Sequence, residues 1–333
     1  MIKVAINGFG RIGRLAFREM ITGTIFDVVA INGTSSADDL AYLLKYDSNH
    51  RRFHTDLIQA GDNCLIINNV KRVPVFTEKD PSNLPWKELG VDLVLECTGK
   101  FTDVNDAHKH IEAGAKKVLI SAPAKGDCKT IVYGVNDFIL DKKEEIVSAA
   151  SCTTNCLAPV LDVLEKEFGI EKGFMSTIHA YTNDQVTLDG NHSKGYESRR
   201  GRAAAINIIP ASTGAASAIG KVLPQLQGKL DGVAYRVPVA DGSMIDLTLE
   251  LKKNATKEEI NATFMKYQSE ALQVTGDPIV SSDALGVKCG ALVDLRLTTV
   301  LEASNKHLVK VVAWYDNEVG YTAQMMRTAR MMF

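Results

Sequence analysis

The sequence predicts an α/β protein of two domains, in which a doubly wound, mainly parallel sheet is followed by an α+β domain with a mixed or antiparallel sheet. Its 333 residues exceed the length at which a single hydrophobic core usually stops growing. Strand-like and helical runs alternate over residues 1–150, which is typical of a parallel sheet with helices on its faces. Strand-like runs outnumber helical runs over residues 151–316, which favours a sheet covered on one face.

The composition limits the kinds of partner. With 38 Lys and Arg against 40 Asp and Glu, the formal net charge is −2, which gives no reason to expect nucleic acid or a membrane as the main partner. No apolar run approaches the ~18 residues that a membrane span needs. The chain runs directly from Met1 into a glycine motif, which leaves no room for a signal peptide. We therefore expect a cytoplasmic protein.

The cysteines are not spaced for a metal site or a disulfide framework. They are Cys64, Cys97, Cys128, Cys152, Cys156 and Cys289. None of them forms a C-x-x-C pair, and no histidine stands near them at the spacing of a zinc ligand. The sequence therefore predicts no metal site and a reducing compartment.

A glycine motif follows the first predicted strand. The strand covers residues 3–7, the motif G-x-G-x-x-G consists of Gly8, Gly10 and Gly13, and residues 14–20 have helical spacing. In this context the first glycine permits a tight turn, the second lets the backbone approach a pyrophosphate, and the third lets the helix pack on the strand. The phosphates then lie at the helix N-terminus. We interpret residues 1–150 as a Rossmann dinucleotide-binding domain.

The residue that usually holds the adenosine ribose of NAD is absent. A second strand is predicted over residues 26–32, after which an NAD-preferring domain normally has Asp or Glu. Here Gly33 and Thr34 follow. An acid would repel the extra phosphate of NADP, whereas Gly33 leaves space and Thr34 offers a hydroxyl. Either the chain accepts NADP or its NAD site is weakened.

Further elements complete the predicted first domain. A buried strand over residues 91–97 ends in Thr98 and Gly99, where a doubly wound sheet meets its cofactor. A helix over residues 103–114 and strands over 117–121 and 146–148 follow.

The segment after residue 148 contains the candidate nucleophile. Ser151, Cys152 and Thr153 open a predicted helix. A thiol at a helix start lies against unpaired backbone N–H groups and the positive end of the helix dipole, which predicts a lowered thiol pKa. The short hydroxyl side chains could hold an oxyanion or phosphate beside the sulfur. The alternative is a small buried cysteine that only packs.

The second domain adds a candidate base and candidate anion ligands. Strands are predicted over residues 173–179, 233–239, 244–251, 292–300 and 308–315, and a last helix over 318–332. His179 ends the first of these strands and would be a general base beside an activated cysteine, or otherwise an ordinary strand-end residue. Arg236 interrupts an apolar strand, and a buried arginine needs an anion. Arg200 lies in a long patternless loop over residues 185–202, which is typical of a functional loop. Thr213 and Gly214 precede an alanine-rich helix.

Several longer segments resemble one family. They are NGFGRIGR, SCTTNC, HAYTNDQ, RRGRAAA, STGAA and WYDNEVGYTAQ. In order and spacing they are similar to the phosphorylating glyceraldehyde-3-phosphate dehydrogenases of bacterial type, over essentially the whole chain. The resemblance implies reversible oxidation of D-glyceraldehyde 3-phosphate to 1,3-bisphosphoglycerate with NAD or NADP, through a thiohemiacetal and a thioester on Cys152, with His179 as base. It also implies a homotetramer in which the loop over residues 181–202 reaches a neighbouring cofactor site.

The resemblance places the family's site residues on positions of this chain. The substrate phosphate falls on Thr182 and Arg236, and the attacking inorganic phosphate on Ser151, Thr153, Thr213 and Gly214, with Arg200 nearby. The cofactor positions that it adds are Asn7, Arg11, Ile12, Lys79, Thr98, Ser121 and Asn317. The helix over residues 317–333 would pack on residues 1–150, and residues 151–316 would form the catalytic domain.

Two departures from the family's pattern concern the cofactor. Gly33 and Thr34 replace the usual acid and Leu, and Gly190 and Asn191 replace a Leu or Ala followed by Pro in the loop. Lys79 stands where the family often has Arg. Our hypothesis is that this member accepts NADP, and so could run in a gluconeogenic or biosynthetic direction.

Two other functions stay open on the sequence. An erythrose-4-phosphate dehydrogenase shares most of these motifs but releases its thioester mainly to water. A non-enzymatic redox sensor would combine the dinucleotide-binding domain with Cys152 and Cys156. The sensor is disfavoured because Thr182, Thr213 and Arg236 would have no purpose in it.

Overall fold

The computed structural model describes residues 1–303 and 306–333. The chain divides into two compact units. Unit 1 consists of Met1–Ile131, Asp137–Ser151 and Met325–Phe333, and unit 2 of Val132–Asn136 and Cys152–Gln324. Within the described ranges, no helix is long and apolar enough to cross a membrane.

Unit 1 is built around a nine-stranded sheet. Its strands are β1 (Ile2–Asn7), β2 (Phe26–Asn32), β3 (Ile58–Gly61), β4 (Cys64–Ile67), β5 (Lys71–Phe76), β6 (Leu93–Glu96), β7 (Lys117–Ile120), β8 (Lys129–Thr130) and β9 (Ile146–Ser148). Its helices include α1 (Arg11–Thr22), α2 (Ala37–Lys45), α3 (Trp86–Leu89) and α4 (Val104–Glu112). The strand order is β3-β4-β5-β2-β1-β6-β7-β9-β8. Along this order, every neighbouring pair from β5 through β2, β1, β6, β7 and β9 to β8 is parallel. The pairs β3 with β4 and β4 with β5 are antiparallel.

The central strands are buried on both faces, as expected for a sheet covered by helices. Val4, Ala5 and Ile6 of β1 are fully buried. Side-chain caps mark two helix starts: Ser36 Oγ accepts a hydrogen bond from the N–H of Asp39 at α2, and the carboxylate of Asp103 accepts one at α4, which satisfies backbone donors that a helix leaves unpaired. The predicted doubly wound, mainly parallel sheet is confirmed.

Unit 2 is built around an eight-stranded sheet. Its elements are α5 (Cys152–Glu167), β10 (Ile170–Ala180), β11 (Ile209–Ser212), α6 (Ala215–Ala218), β12 (Leu230–Val237), β13 (Ser243–Leu251), α7 (Lys257–Lys266), β14 (Leu272–Thr275), β15 (Ala291–Asp294), β16 (Thr299–Ala303) and β17 (Lys306–Tyr315). The strand order is β11-β12-β10-β13-β17-β15-β14, and β16 pairs with β17. Two pairs, β10 with β12 and β14 with β15, are parallel and the others antiparallel. The predicted mixed sheet is confirmed. The last helix, α8 (Val319–Met331), contributes residues to both units.

One predicted strand of the second half is wrong in extent, and the predicted alanine-rich helix is present but short. The strand expected over residues 292–300 is divided into β15 and β16, because the carboxylate of Asp294 accepts a hydrogen bond from the N–H of Arg296 and turns the chain. The alanine-rich helix after Gly214 is a single turn, α6, followed by a 3-10 turn over Ile219–Lys221. Gly214 at its N-cap has no side chain with which to cap it.

Candidate active site

The candidate nucleophile stands at the first residue of α5. The turn that leads to it from β9 holds Ala150 at a φ of 58°, in the left-handed region that alanine rarely adopts. The N–H of Ala150 donates to Ser148 Oγ at 3.1 Å, which helps to hold this conformation. Residues kept in such strained conformations are concentrated at functional sites.

His179 lies beside the thiol. The distance from Cys152 Sγ to His179 Nε2 is 3.4 Å. His179 Nδ1 lies 2.7 Å from the carbonyl oxygen of Ala180, which can only accept, so we place the ring proton on Nδ1. Nε2 then carries a lone pair and can accept the thiol proton, the arrangement that nucleophilic catalysis requires.

Burial favours the uncharged form of each partner in this pair. It raises the pKa of the Cys152 thiol, against the opposing effects of Arg236 and Thr153. Burial, and next the charge of Arg236, lower the pKa of the His179 imidazole. The predicted lowering of the thiol pKa at the helix start is therefore wrong, because burial outweighs the effect of the helix. A neutral imidazole therefore lies within hydrogen-bond distance of a protonated thiol.

Strand register brings Arg236 to the same place. Strands β10 and β12 run in parallel with His179 opposite Arg236. Arg236 Nη1 donates to Ala180 O at 2.9 Å and to Thr182 Oγ1 at 3.0 Å, and lies 3.0 Å from His179 Nδ1. Its Nε is buried and has no hydrogen-bond partner among the described residues. A buried guanidinium with an unused N–H is suited to an anionic ligand.

Asp184, which the sequence analysis did not identify, connects two of the predicted anion ligands. Its carboxylate accepts hydrogen bonds from the Thr182 hydroxyl and from Arg200 Nη1. Desolvation opposes the charged carboxylate, but Thr182 and Arg200 outweigh it and lower the pKa of Asp184. Thr182, Arg200 and Arg236 are therefore joined in one polar chain.

Tyr315 is a second residue that the sequence analysis missed. Its buried hydroxyl lies 3.0 Å from Thr153 Oγ1 and 2.9 Å from Thr177 Oγ1. Its ring meets the ring of His179 edge-on, with centroids 5.9 Å apart. Tyr315 thus joins the first turn of α5 to the strand that carries His179.

The remaining predicted residues of unit 2 are Thr213, Gly214 and Asn317. Thr213 Oγ1 accepts a hydrogen bond from the N–H of Ala215 at 3.2 Å, and Gly214 is the N-cap of α6. A cavity of about 330 Å³ is lined by Arg200 and Ser212, among other residues. The hydroxyl of Ser243 donates to Asn317 Oδ1 at 2.7 Å and accepts the N–H of Ala180 at 3.0 Å. Ser243 therefore fixes the amide of Asn317 to the residue after His179.

Unit 1 holds the glycine motif in the predicted form. Gly8 has a φ of +95°, and a Cβ on Gly13 would lie 2.2 Å from the carbonyl oxygen of Gly8. Gly10 has open space where its side chain would be. The first and third glycines therefore permit the turn and the close helix packing, and the second leaves the approach open.

The other candidate cofactor residues of unit 1 lie around the same strand ends. Arg11 forms an ion pair with the nearly buried Asp47 through two hydrogen bonds. Thr98 donates through its N–H and its hydroxyl to Glu96. Gly99 has a φ of +70° with open space around it, and a Cβ on Gly33 would meet only the backbone nitrogen of Phe9, at 4.0 Å. Thr34 and Lys79 are exposed, Ile12 and Ser121 are half-buried, and Ser121 N–H donates to Glu96 O.

Two sequence profiles of one family match the chain. The profile described as "Glyceraldehyde 3-phosphate dehydrogenase, NAD binding domain" matches residues 2–104, and the profile for the "C-terminal domain" matches residues 151–317. Proteins named glyceraldehyde-3-phosphate dehydrogenase from Clostridium pasteurianum, Lactobacillus delbrueckii subsp. bulgaricus and Streptococcus pyogenes serotype M1 are 56%, 53% and 50% identical to it. Each alignment covers 98% of this chain and 97% of the relative. With matches over nearly its full length, the chain belongs to the glyceraldehyde-3-phosphate dehydrogenase family.

Proposed function

We propose that this chain catalyses the reversible oxidative phosphorylation of D-glyceraldehyde 3-phosphate to 1,3-bisphosphoglycerate. The observation that carries the proposal is the 3.4 Å approach of Cys152 Sγ to His179 Nε2, beside a guanidinium with an unused N–H. A nucleophile, a base and an anion ligand are the groups that acyl transfer on a phosphorylated aldehyde needs. Family membership agrees with this assignment.

Cys152 acts first, by adding to the aldehyde carbon. The C–S bond forms as His179 Nε2 takes the thiol proton and passes it to the former carbonyl oxygen, which gives a thiohemiacetal and leaves the imidazole neutral again. His179 Nε2 then accepts the hydroxyl proton of this adduct as the C–H hydride departs, and a thioester on Cys152 results. An oxygen of inorganic phosphate attacks the thioester carbon, the C–S bond breaks, and the acyl phosphate leaves. The sulfur departs as thiolate and takes back the proton held on His179 Nε2, which restores the starting pair.

Charged and hydroxyl side chains hold the two phosphate groups. We assign the substrate phosphate to Thr182 and Arg236, which already contact each other at 3.0 Å. We assign the attacking phosphate to Ser151, Thr153, Thr213, Gly214 and Arg200. Asp184 keeps Arg200 and Thr182 in place, which limits the entropy that ordering them on binding would cost.

The residues at the strand ends of unit 1 fit a dinucleotide. Because Gly10 has open space where a side chain would be, a pyrophosphate can lie at the N-terminus of α1. The residues that would hold the cofactor are Asn7, Gly8, Gly10, Arg11, Ile12, Gly13, Gly33, Thr34, Lys79, Thr98, Gly99, Ser121 and Asn317. A bound nicotinamide dinucleotide supplies the hydride acceptor.

One assay tests the proposed function. Purified protein is mixed with D-glyceraldehyde 3-phosphate and NAD or NADP, with and without inorganic phosphate, beside a Cys152→Ser control. We expect phosphate-dependent reduction of the cofactor that the control loses almost completely. Activity that does not depend on phosphate would support an erythrose-4-phosphate dehydrogenase instead.

A redox sensor would predict no turnover and tolerance of His179→Asn. The structure supplies an argument against it. Cys156 is fully buried, and burial raises the pKa of its thiol well above the ordinary value. A thiol held in its protonated form reacts slowly with oxidants.

We also propose that this member accepts NADP. The matched profile is described for NAD, so this proposal rests on the two departures from the family's pattern, in the loop at Gly190 and Asn191 and at the end of β2. Gly33 leaves room there for a phosphate and carries no acid to repel it. Since φ at Gly33 is not positive, Gly33→Asp fits the backbone and is a matched test: it should lower kcat/KM for NADP at least tenfold and spare NAD. A wild-type preference for NAD of tenfold or more would defeat the proposal.

The proposal also covers the oligomeric state, the roles of the two domains and the cellular compartment. A homotetramer is supported by apolar side chains exposed on unit 2, among them Phe174, Tyr196 and Ile206. Sedimentation analysis should show four subunits.

We further propose that residues 1–150 with the helix over 317–333 bind the cofactor and that residues 151–316 carry the catalytic groups. All six cysteines are free, which supports a reducing, cytoplasmic compartment.

A further inference from the structure

A buried hydrogen-bond network joins the carboxyl ends of three adjacent strands in unit 1. Asn32 ends β2, Asn7 ends β1 and Glu96 ends β6. Asn32 Nδ2 donates to Asn7 Oδ1 at 2.7 Å, and Asn7 Nδ2 donates to Glu96 Oε2. Each of the three residues is at most 4% exposed. Because parallel strands end at one edge of a sheet, the network lies where the dinucleotide is proposed to bind.

Glu96 is the centre of this network, with donors on both carboxylate oxygens. Oε1 accepts the N–H of Thr98 at 2.8 Å and the Thr98 hydroxyl. Oε2 accepts Asn7 Nδ2 and lies 3.2 Å from His110 Nε2. A buried carboxylate is tolerated only when its lone pairs are used in this way. The side chains of Asn7 and Thr98, both candidate cofactor ligands, are therefore held by Glu96.

His110 orients Glu96 from α4, and its own tautomer is fixed by Trp86. His110 is fully buried. The indole N–H of Trp86, which can only donate, lies 3.0 Å from His110 Nδ1. Nδ1 must accept this hydrogen bond, so Nε2 carries the proton and donates it to Glu96. Asn7 Nδ2 lies 3.3 Å from His110 Nε2 because both nitrogens donate to the same oxygen.

We propose that His110 is a positioning residue for cofactor binding. It acts through Glu96, which holds Asn7 and Thr98 in their binding conformations before the dinucleotide arrives. The inference rests on one part of the proposed function, dinucleotide binding, because Asn7 and Thr98 are ligands only if a dinucleotide binds at these strand ends. Without His110, the cost of ordering these side chains would weaken binding. The chemical step, which residues of unit 2 perform, would be unaffected.

The test compares two substitutions of His110. His110→Phe keeps the ring and removes both hydrogen-bonding nitrogens, whereas His110→Gln keeps an amide N–H that can donate to Glu96. We expect His110→Phe to raise the Kd for NADH, from fluorescence titration, and the KM for the cofactor by about tenfold. The value of kcat at saturating cofactor and the KM for the aldehyde should stay within twofold of wild type. His110→Gln should recover most of the affinity.

Other outcomes are equally decisive. If His110→Phe does not fold, Trp86→Phe replaces it. This variant keeps His110 but removes the indole N–H that fixes the proton of His110 on Nε2, and it should raise the KM for the cofactor with kcat unchanged. A folded His110→Phe with wild-type Kd and KM overturns the inference, as does a loss of thermal stability and kcat at constant KM. If His110→Phe weakens NADH binding as expected but the wild type does not oxidise the aldehyde, the proposed function fails and the inference stands.

Discussion

Removal of one buried carboxylate should measurably destabilise unit 1. Asp47 is nearly buried and accepts two hydrogen bonds from Arg11. Burial works against its charged form, but Arg11 and the N–H groups of His50 and Asn49 outweigh it and lower the pKa of Asp47 from 3.8 to about 2. Each pKa unit corresponds to about 1.36 kcal/mol. The charged form therefore contributes about 2 kcal/mol to the free energy of unfolding at neutral pH, and Asp47→Asn should lose it.

The stabilisation by Asp47 should decrease as the pH falls. The pKa of Asp47 is lower in the folded than in the unfolded chain, so the unfolded chain binds the proton first as the pH falls. The stabilisation is complete above the unfolded pKa and is lost as the pH falls through the folded pKa. The difference between wild type and Asp47→Asn should stay constant from pH 7 to 5 and shrink to about 1 kcal/mol at pH 3.

Urea unfolding followed by circular dichroism, at a series of pH values, measures the difference. Asp62 lies exposed in the turn after β3, and Asp62→Asn is the matched control, with an expected change within about 0.5 kcal/mol at every pH. A destabilisation by Asp47→Asn that does not shrink with acid would refute the reasoning, because it would have a cause other than the carboxylate charge. So would an effect no larger than that of the control.

Three further predictions concern the glycine motif and the active site. Gly13→Ala places a Cβ 2.2 Å from the Gly8 carbonyl oxygen and should raise the Kd for NADH more than tenfold. A variant that binds NADH with the wild-type Kd would contradict this prediction. Tyr315→Phe removes the hydroxyl that joins Thr153 to Thr177 and should cost about 1–3 kcal/mol in urea unfolding, with kcat reduced; an unchanged unfolding midpoint would be inconsistent. Arg236→Lys keeps the charge but loses the fork of donors, so the KM for the triose phosphate should rise at least tenfold while the cofactor KM stays constant; equal rises in both would argue against a phosphate ligand.

The parts of the fold that depend on local pattern are predictable from the sequence. Strand β2 has the predicted bounds, and β1 differs by one residue, because β-branched runs bounded by glycine or turn residues specify a strand locally. Helix α1 begins at Arg11 and not at residue 14, since Gly13 lies inside the helix although glycine has a low helix propensity. The single strand predicted over residues 292–300 is wrong because the carboxylate of Asp294 accepts the N–H of Arg296 and turns the chain within an otherwise apolar run.

The contacts that complete the site depend on sheet order, and sequence spacing does not reveal them. Tyr315 meets Thr153 across 162 residues, and His110 supports Asn7 only because β6 lies next to β1. Asp184 is within reach of sequence reasoning, because it follows Thr182 by two residues, the spacing of a local side-chain turn. The thiol pKa cannot be predicted in this way, since it depends on how much protein surrounds the sulfur.

The central claim is that Cys152 carries the acyl group, with His179 as its base. The most direct measurement is intact-protein and peptide mass spectrometry after incubation with D-glyceraldehyde 3-phosphate and cofactor in the absence of phosphate. The account predicts an acyl adduct on Cys152 that inorganic phosphate removes, and that accumulates much more slowly in His179→Asn. Full turnover with Cys152 alkylated, or an adduct on another residue, would contradict it.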